Sequence, residues 1–384
     1  MTIIFYNPRT KSWHHPQHEY QFGRTTITAA SITSCYPFPV RKQDNRVGPL
    51  IGILTSGSTS HKVYGDFQKF SSIQFALEKR GGVSFVFTPH GVQENYIEGY
   101  ILQANKWRKC SFPYPDVIYN RIPYRKDEKE LTTLYAFTRF QERNLPFFNP
   151  SFFSKWEVYQ IFRTNPKLHA HLLETRLLLT KQDLLDMLLT YKAVYVKSSE
   201  SAKGEQLFKV ERLSSEMVQI QSPSIKPIRF STKEIWKMID YAKQKLIIQP
   251  ALIHDQYNGR KYDLRIPVHL LREKFTIGGI GVRLAALGSI VTHIPHGGEI
   301  IAVNALSRPV DHLLLEQLAD ECGQSLCSLG RVREFSLDIG VDQRGHYYIF
   351  EVNAKPMSFD EPHIQQQILE HLLLVFDEEA GFLE

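Results

Sequence analysis

The stretch from Arg333 to Pro356, REFSLDIGVDQRGHYYIFEVNAKP, constrains the fold of this 384-residue chain more than any other. Two runs of strand length flank a turn at Asp342 to Gly345, the pattern of an antiparallel hairpin. Side chains on paired strands alternate between faces, so Asp338 can stand opposite Glu351, with Asn353 two residues further along the same side. Three oxygen-bearing side chains then converge. Such hard donors suit magnesium, which takes one or two carboxylates and completes its octahedron with water and substrate phosphates. A lone Glu-x-Asn is more at home facing solvent, so the motif gains meaning from what precedes it.

Upstream, residues 1 to 45 alternate apolar and polar side chains around Pro and Gly (FYNPRT, YQFGRTTITAASI, YPFPV), which predicts a short β-rich segment. From 46 to 150, strand-like LIGILTSG, VSFVFTPHGV, PDVIYNRIPYR and LPFFNP alternate with amphipathic helices at about 67 to 79 and in LTTLYAFTRFQERN. That order predicts a Rossmann-like α/β unit with a parallel sheet. Residues 151 to 250 open with the helical stretches KWEVYQIFRTNPKLHAHLLET and KQDLLDMLLTYK. Strands dominate from AVYVKSS onward: EQLFKVE, KLIIQPAL, then YDLRIPVHLL, FTIGGIGVRLA and the hairpin in 251 to 384. The fold class expected is α/β and α+β.

Composition narrows the function classes. Apolar residues are 42% and charged residues 22% of the chain, ordinary globular proportions, so neither a disordered nor a fibrous protein is indicated. The formal net charge of +6 comes from scattered Lys and Arg without a long run, which argues against a nucleic-acid partner and suits nucleotide phosphates or an acidic substrate. Cys35, Cys110, Cys322 and Cys327 show no metal-binding or redox spacing and are expected to be reduced. The opening MTIIFYNPRTKSWHHP lacks secretory features, and no apolar run reaches membrane-spanning length, so the expectation is a cytoplasmic protein with no membrane partner.

The hairpin is preceded by further pieces in a definite order: Lys155 in FFSKWEVY, Lys197 ending VYVK, IIQPAL, YDLR, GVRLAALGSIVTHIPHGG, then DIG and FEVNAKP. In this order the chain resembles the ATP-grasp superfamily, and more closely the YheC/YheD-like group of endospore coat-associated proteins, from about Gly48 to the C-terminus. The resemblance implies an ATP-grasp fold at 151 to 384 behind the α/β unit. It implies that Lys155 and Lys197 reach ATP phosphates, that Gln249 and the backbone of Ala251 and Leu252 read the adenine edge, and that Mg2+ sits at Asp338, Glu351 and Asn353. Asp263, Arg265 and Arg283 would line the cleft beside the phosphates, the arginines gripping oxygens in pairs. The spacing of Asp263 and Arg265 also allows a surface ion pair between them. His293 would lie at a turn near the metal, where the family usually has Asn. A second departure follows Lys197: relatives carry a proline and a glycine-rich phosphate loop, whereas SSESAKGEQLF has Gly204 alone.

The activity so implied is ATP- and Mg-dependent ligation of an unidentified carboxylate to an amine through an acylphosphate, linked to sporulation or the spore coat. A protein of another class is the rival: a catalytically inactive ATP-grasp pseudoenzyme serving the coat, which the two departures would suit. A kinase-like use of the site, leaving phosphate on the acceptor, is the third reading.

Overall fold

A computed structural model describes residues 1–33, 35–58, 62–200, 207–235, 245–292 and 294–383. The β-rich start closes on itself: strands Thr2–Asn7, Ser12–His15, Tyr20–Phe22, Thr25–Ala29, Tyr36–Gln43 and Arg46–Gly48 form a six-stranded barrel. Alternation explains it, since Ile4, Tyr6, Trp13, Phe22, Ile27, Val40 and Val47 are all buried. The barrel shares its core with the next sheet, and the Trp13 indole donates to the carbonyl of Ser111 at 2.8 Å.

The second sheet has six strands in the order Lys106–Phe112, Ile97–Gln103, Val83–Val92, Leu50–Leu54, Val117–Asn120 and Phe147–Phe148. The last four pair in parallel, as the alternation of strands and helices predicts, and the first two add an antiparallel edge that the sequence reading did not resolve. Both faces are covered, which is why its strands read as continuous apolar runs. Ile51, Ile53, Val117 and Tyr119 face the helix Phe67–Lys79, while Leu50, Leu54 and Ile118 face the helix Leu131–Glu142.

Two antiparallel sheets follow. The first runs Arg176–Leu177, Leu246–Pro250, Ala193–Ser198, Leu207–Arg212, Met217–Gln221 and Ile228–Ser231. The helix Lys181–Tyr191 covers one face of it, started by a capping box between Thr180 and Asp183. The second centres on Arg260–Leu271, flanked by Gly281–Leu284 and Glu299–Ile301 on one side and by Glu334–Val341 and Tyr347–Asn353 on the other. Leu264, Ile266, Val268, Leu337 and Ile339 pack with Leu315, Leu318 and Cys322 of a helix at His312–Leu326. The opposite face carries Asp263, Arg265 and Asp338.

That helix and the terminal one, Pro362–Ala380, are additions to a region read from sequence as mostly strand. Their termini bear the marks of helix ends: Asp311 accepts from the Leu314 amide at 3.0 Å, Pro362 stands in the first turn, and Gly381 closes the last helix at φ 69°. The terminal helix lays Leu372, Val375 and Phe376 against the outer face of the α/β sheet. Glu334, 1% exposed, ties that sheet to the C-terminal one. It accepts from Tyr119 Oη at 2.6 Å and pairs with Arg121 at 3.3 Å and Lys69 at 3.4 Å. All four cysteines are free, and among the described residues no helix is long and apolar enough to cross a membrane.

Candidate nucleotide site

The polar face of the C-terminal sheet looks across at the preceding sheet, and the space between them is a cleft with about 910 Å3 of empty volume, part of it open to solvent. Strand register decides which side chains enter. Asp263 pairs with Arg283, Arg265 with Asp338, Asp338 with Glu351, and Ser336 with Asn353, so the charged residues share one face. The Asp338–Glu351 pairing is the one that the hairpin pattern predicts. A bulge just after Asp338 shifts the register and leaves Phe350 over Gly340, where an added Cβ would come within 1.9 Å of the ring. From the facing sheet, Ala193–Ser198 buries Val194, Val196 and Ser198 in its own core and sends Tyr195 and Lys197 into the cleft. Lys155, the first residue of the helix Lys155–Phe162, arrives because its amide donates to the carbonyl of Ser199 at 2.9 Å.

Of the residues singled out from sequence, Lys155, Lys197, Gln249, Leu252, Asp263, Arg283, Asp338 and Glu351 line this cleft. Arg265 and Asn353 stand on the same sheet face beside it; Arg265 donates to the carbonyl of Met357 at 3.2 Å and lies over the Phe359 ring. The Ala251 amide is committed to the carbonyl of Ala193 at 2.9 Å, and the Gln249 side-chain amide to Thr175 Oγ1 at 2.6 Å. His293 lies outside the described residues, as do Ser201 to Gln206, where the glycine-poor segment falls.

Charge organises the centre. Arg283 donates through Nε and Nη2 to the two oxygens of Asp263, both at 2.9 Å, and Nη2 also reaches Asp338 at 3.1 Å. Thr292 Oγ1 adds a third donor to Asp263 at 2.6 Å. Asp263 therefore pairs with Arg283 across the sheet and not with Arg265 on its own strand. Lys155 Nζ lies 3.2 Å from Glu351, and Lys197 Nζ donates to the carbonyl of Phe350 at 3.3 Å. Burial weakens the charged form of Arg283, but Asp338 and Asp263 more than reverse this and hold its pKa above the usual value. Among the described residues Lys197 has no anion so close, and burial pulls its ammonium down to about 8.

The sequence reading passed over Tyr195, Lys261, Thr292 and His254, all of which line the cleft. Lys261 donates to Tyr195 Oη at 3.3 Å, and burial brings its pKa to about 8. A signal was present for two of them: Lys261 lies two residues before Asp263, and Tyr195 two before Lys197, each on the strand face already assigned to the site.

Two antiparallel sheets enclosing a cleft, behind an α/β unit, define an ATP-grasp protein. The model of the YheC/D-like ATP-grasp family matches residues 144–377, and the chain belongs to that family. It is 28% identical over 341 residues to the endospore coat-associated protein YheD of Bacillus subtilis, covering 81% of this chain and 73% of that protein. Among solved structures, D-alanyl-alanine synthetase A from Vibrio cholerae superposes with a TM-score of 0.54 at 14% identity, covering 87% of this chain and 98% of the other. The D-alanine-D-alanine ligase of Coxiella burnetii gives 0.50 at 12% identity, covering 87% and 97%. At such identities the likeness is one of fold.

Proposed function

We propose that the chain is an ATP-dependent ligase joining a carboxylate to an amine. The observation that carries this reading is the gathering of Lys155, Lys197, Arg283, Asp338 and Glu351, drawn from five separate elements, around one cleft. Membership of the ATP-grasp family and the ligases sharing its fold support it.

The donor set suits magnesium. Asp338 and Glu351 face each other across two strands, with Asn353 two residues along the same face, and all three offer hard oxygens. Two carboxylates and an amide would hold the ion, and the remaining positions would fall to water and phosphate. Bound there, it would neutralise charge developing on the transferred phosphoryl group. The apolar residues Leu173, Leu207, Leu252, Ile290 and Phe350 would receive the base, and Lys155, Lys197 and Arg283 the phosphates.

In the reaction proposed, an oxygen of the substrate carboxylate attacks the γ-phosphorus and ADP leaves. The amine then attacks the acyl carbon, phosphate departs, and the nitrogen gives up a proton to the departing phosphate or to water, forming an amide. Arg283, fixed on two sides, would keep the reacting oxygens in line. Arg265, beside the cleft on the same face, would meet the carboxylate substrate. No side-chain nucleophile is needed.

ADP release measured with panels of carboxylates and amines, with Asp338→Ala as control, tests the reading. Substrate-dependent turnover lost in the variant is the expected outcome. Nucleotide binding without turnover across the panels would favour the second reading, a coat-associated protein that keeps the site but catalyses nothing, which the likeness to the coat-associated YheD protein supports.

A further inference from the structure

Arg265 faces Asp338 on one neighbouring strand and Gly281 on the other, and Asp338 in turn faces Glu351. One row of positions therefore crosses four strands on the face that bears Asp263 and Arg283. Its end position has no side chain of its own. A Cβ on Gly281 would come within 2.6 Å of Glu361 Oε1, so the glycine leaves room for a carboxylate from the start of the terminal helix. With that carboxylate in place the row reads Glu361, Arg265, Asp338, Glu351. Gly281 lies two residues, about 7 Å of strand, from Arg283 at the proposed phosphate end.

Glu361 has an ordinary alternative. It stands just before the first turn of the helix Pro362–Ala380, where a carboxylate stabilises a helix by charge alone. Its side chain makes no capping bond, however, and is turned onto Gly281 of the site face instead. Among the described residues this half-buried carboxylate accepts no hydrogen bond and forms no ion pair. Arg265, next to it in the row, has no carboxylate within salt-bridge distance among the described residues either. It donates to the carbonyl of Met357 at 3.2 Å and lies 4.6 Å from the centre of the Phe359 ring, which leaves most of its five N–H donors for a ligand. Burial pulls the Arg265 pKa below its usual value, and Asp338, Asp263 and the neighbouring Asp360 resist this. Two opposite charges thus stand side by side without pairing, each open to a ligand group of the other sign.

We propose that Glu361 holds the amine substrate as its ammonium, beside the carboxylate taken by Arg265, so that the site selects aliphatic amines that are cationic at neutral pH. The inference rests on the ligase reading above and deepens it by naming the chemical class of the amine. The arrangement sets the nitrogen next to the acyl carbon it will attack. Before attack the ammonium gives one proton to water; the nitrogen lone pair then forms the C–N bond as the C–O bond to phosphate breaks, and the second proton leaves as described above. A hydroxyl or a neutral amine gains nothing from Glu361.

The test uses the full chain with MgATP, a panel of carboxylates, and two kinds of acceptor: alkylamines, and hydroxylamine, which is neutral at neutral pH and captures an acylphosphate as a hydroxamate. Amide and hydroxamate formed from the same carboxylate are measured in competition. In Glu361→Gln the ratio of amide to hydroxamate is expected to fall about tenfold to a hundredfold, the worth of one charged hydrogen bond, through a higher KM for the alkylamine. Glu361→Asp keeps the charge and is expected to recover part of the ratio, which a loss of packing alone would not do. Gly281→Ala is the second variant: its methyl takes the place of the Glu361 carboxylate, the end of a flexible side chain that can swing aside, and the ratio is expected to fall in the same direction. An unchanged ratio in Glu361→Gln, or a native protein that uses neutral acceptors as well as alkylamines, overturns the inference and leaves the ligase standing. No ADP release by the native protein with any carboxylate and either acceptor overturns the ligase reading and the inference with it.

Discussion

Glu334 and Asp338 lie four residues apart on one strand, and each sits in a cluster of buried charge, yet the clusters differ in kind. Around Glu334 the partners are Tyr119, Arg121, Lys69 and His269, brought from the α/β sheet, its helix and the adjoining strand. Around Asp338 the partners are Arg283 and, through it, Asp263 and Thr292, and one side of the group is a cleft. Buried ion pairs alone therefore do not mark a functional site in this protein. What separates chemistry from scaffolding is space beside the charges, and partners that a ligand can replace.

This contrast breaks first if the seam proves dispensable. Removing Glu334 would strand Lys69 and Arg121, so Glu334→Ala is expected to lower stability by about 3–5 kcal/mol, read by denaturant titration. A loss under about 1 kcal/mol, the range of exposed pairs, would show that the seam is no buried hub. The same group predicts acid behaviour. Burial alone would raise the Glu334 pKa, but Lys69, His269 and Arg121 overcome it and hold the carboxyl well below its usual 4.5. A depressed carboxyl contributes stability that is fully present above its unfolded value and is lost as pH falls, so native Glu334 should protect down to about pH 4.5 and progressively less below it. The Ala variant should lack that limb of the pH–stability curve.

Asp338→Ala should behave in the opposite way. Arg283 keeps its bidentate hold on Asp263, so stability should change little, while metal-dependent nucleotide binding and any turnover fall by at least about a hundredfold. Equal loss of stability in the two variants would dissolve the contrast. Gly340→Ala is smaller and sharper: its Cβ would meet the Phe350 ring, and relieving the clash should cost about 1–3 kcal/mol and push the ring into the cleft. Calorimetry should then show weaker ADP binding, and unchanged affinity would place the base elsewhere.

The cleft was more legible in the sequence than the seam, and the reason is distance along the chain. Asp338 and Glu351 come together through a local hairpin and alternation puts Asn353 on the same side, while Asp263, Arg265 and Lys197 are reached through the resemblance to the ATP-grasp superfamily. By contrast, Lys69 and Arg121 are separated from Glu334 by 265 and 213 residues, and no local pattern relates them. The same holds inside the cleft for Lys155, whose salt bridge to Glu351 depends on how the helix start docks at Ser199. The terminal helix is hidden for another reason: HIQQQILEHLLLVFDEE pairs a helical period with an apolar run and follows a series of strands, although Pro362 and Gly381 punctuate both ends.

The least of the expected effects concerns protons, and it probes the difference between a saturated and an unsaturated charge. Among the described residues Lys197 has no carboxylate within salt-bridge distance in the way Lys155 has, and burial brings its pKa from 10.5 to about 8; Lys261 stands at about 8 for the same cause. A phosphate arriving beside Lys197 favours its charged form and raises that pKa, so nucleotide binding above pH 8 should take up protons. Affinity for ADP should accordingly fall as pH rises from about 8 towards 10.5, by less than about tenfold per pH unit, and not change below that window. Calorimetry in buffers of different ionisation enthalpy reads the uptake directly. In Lys197→Met the uptake should drop while a remainder due to Lys261 persists. Binding without proton uptake at pH 9 would mean that Lys197 is as well partnered before the ligand arrives as Arg121 is at the seam, and the distinction between the two clusters would have to be drawn elsewhere.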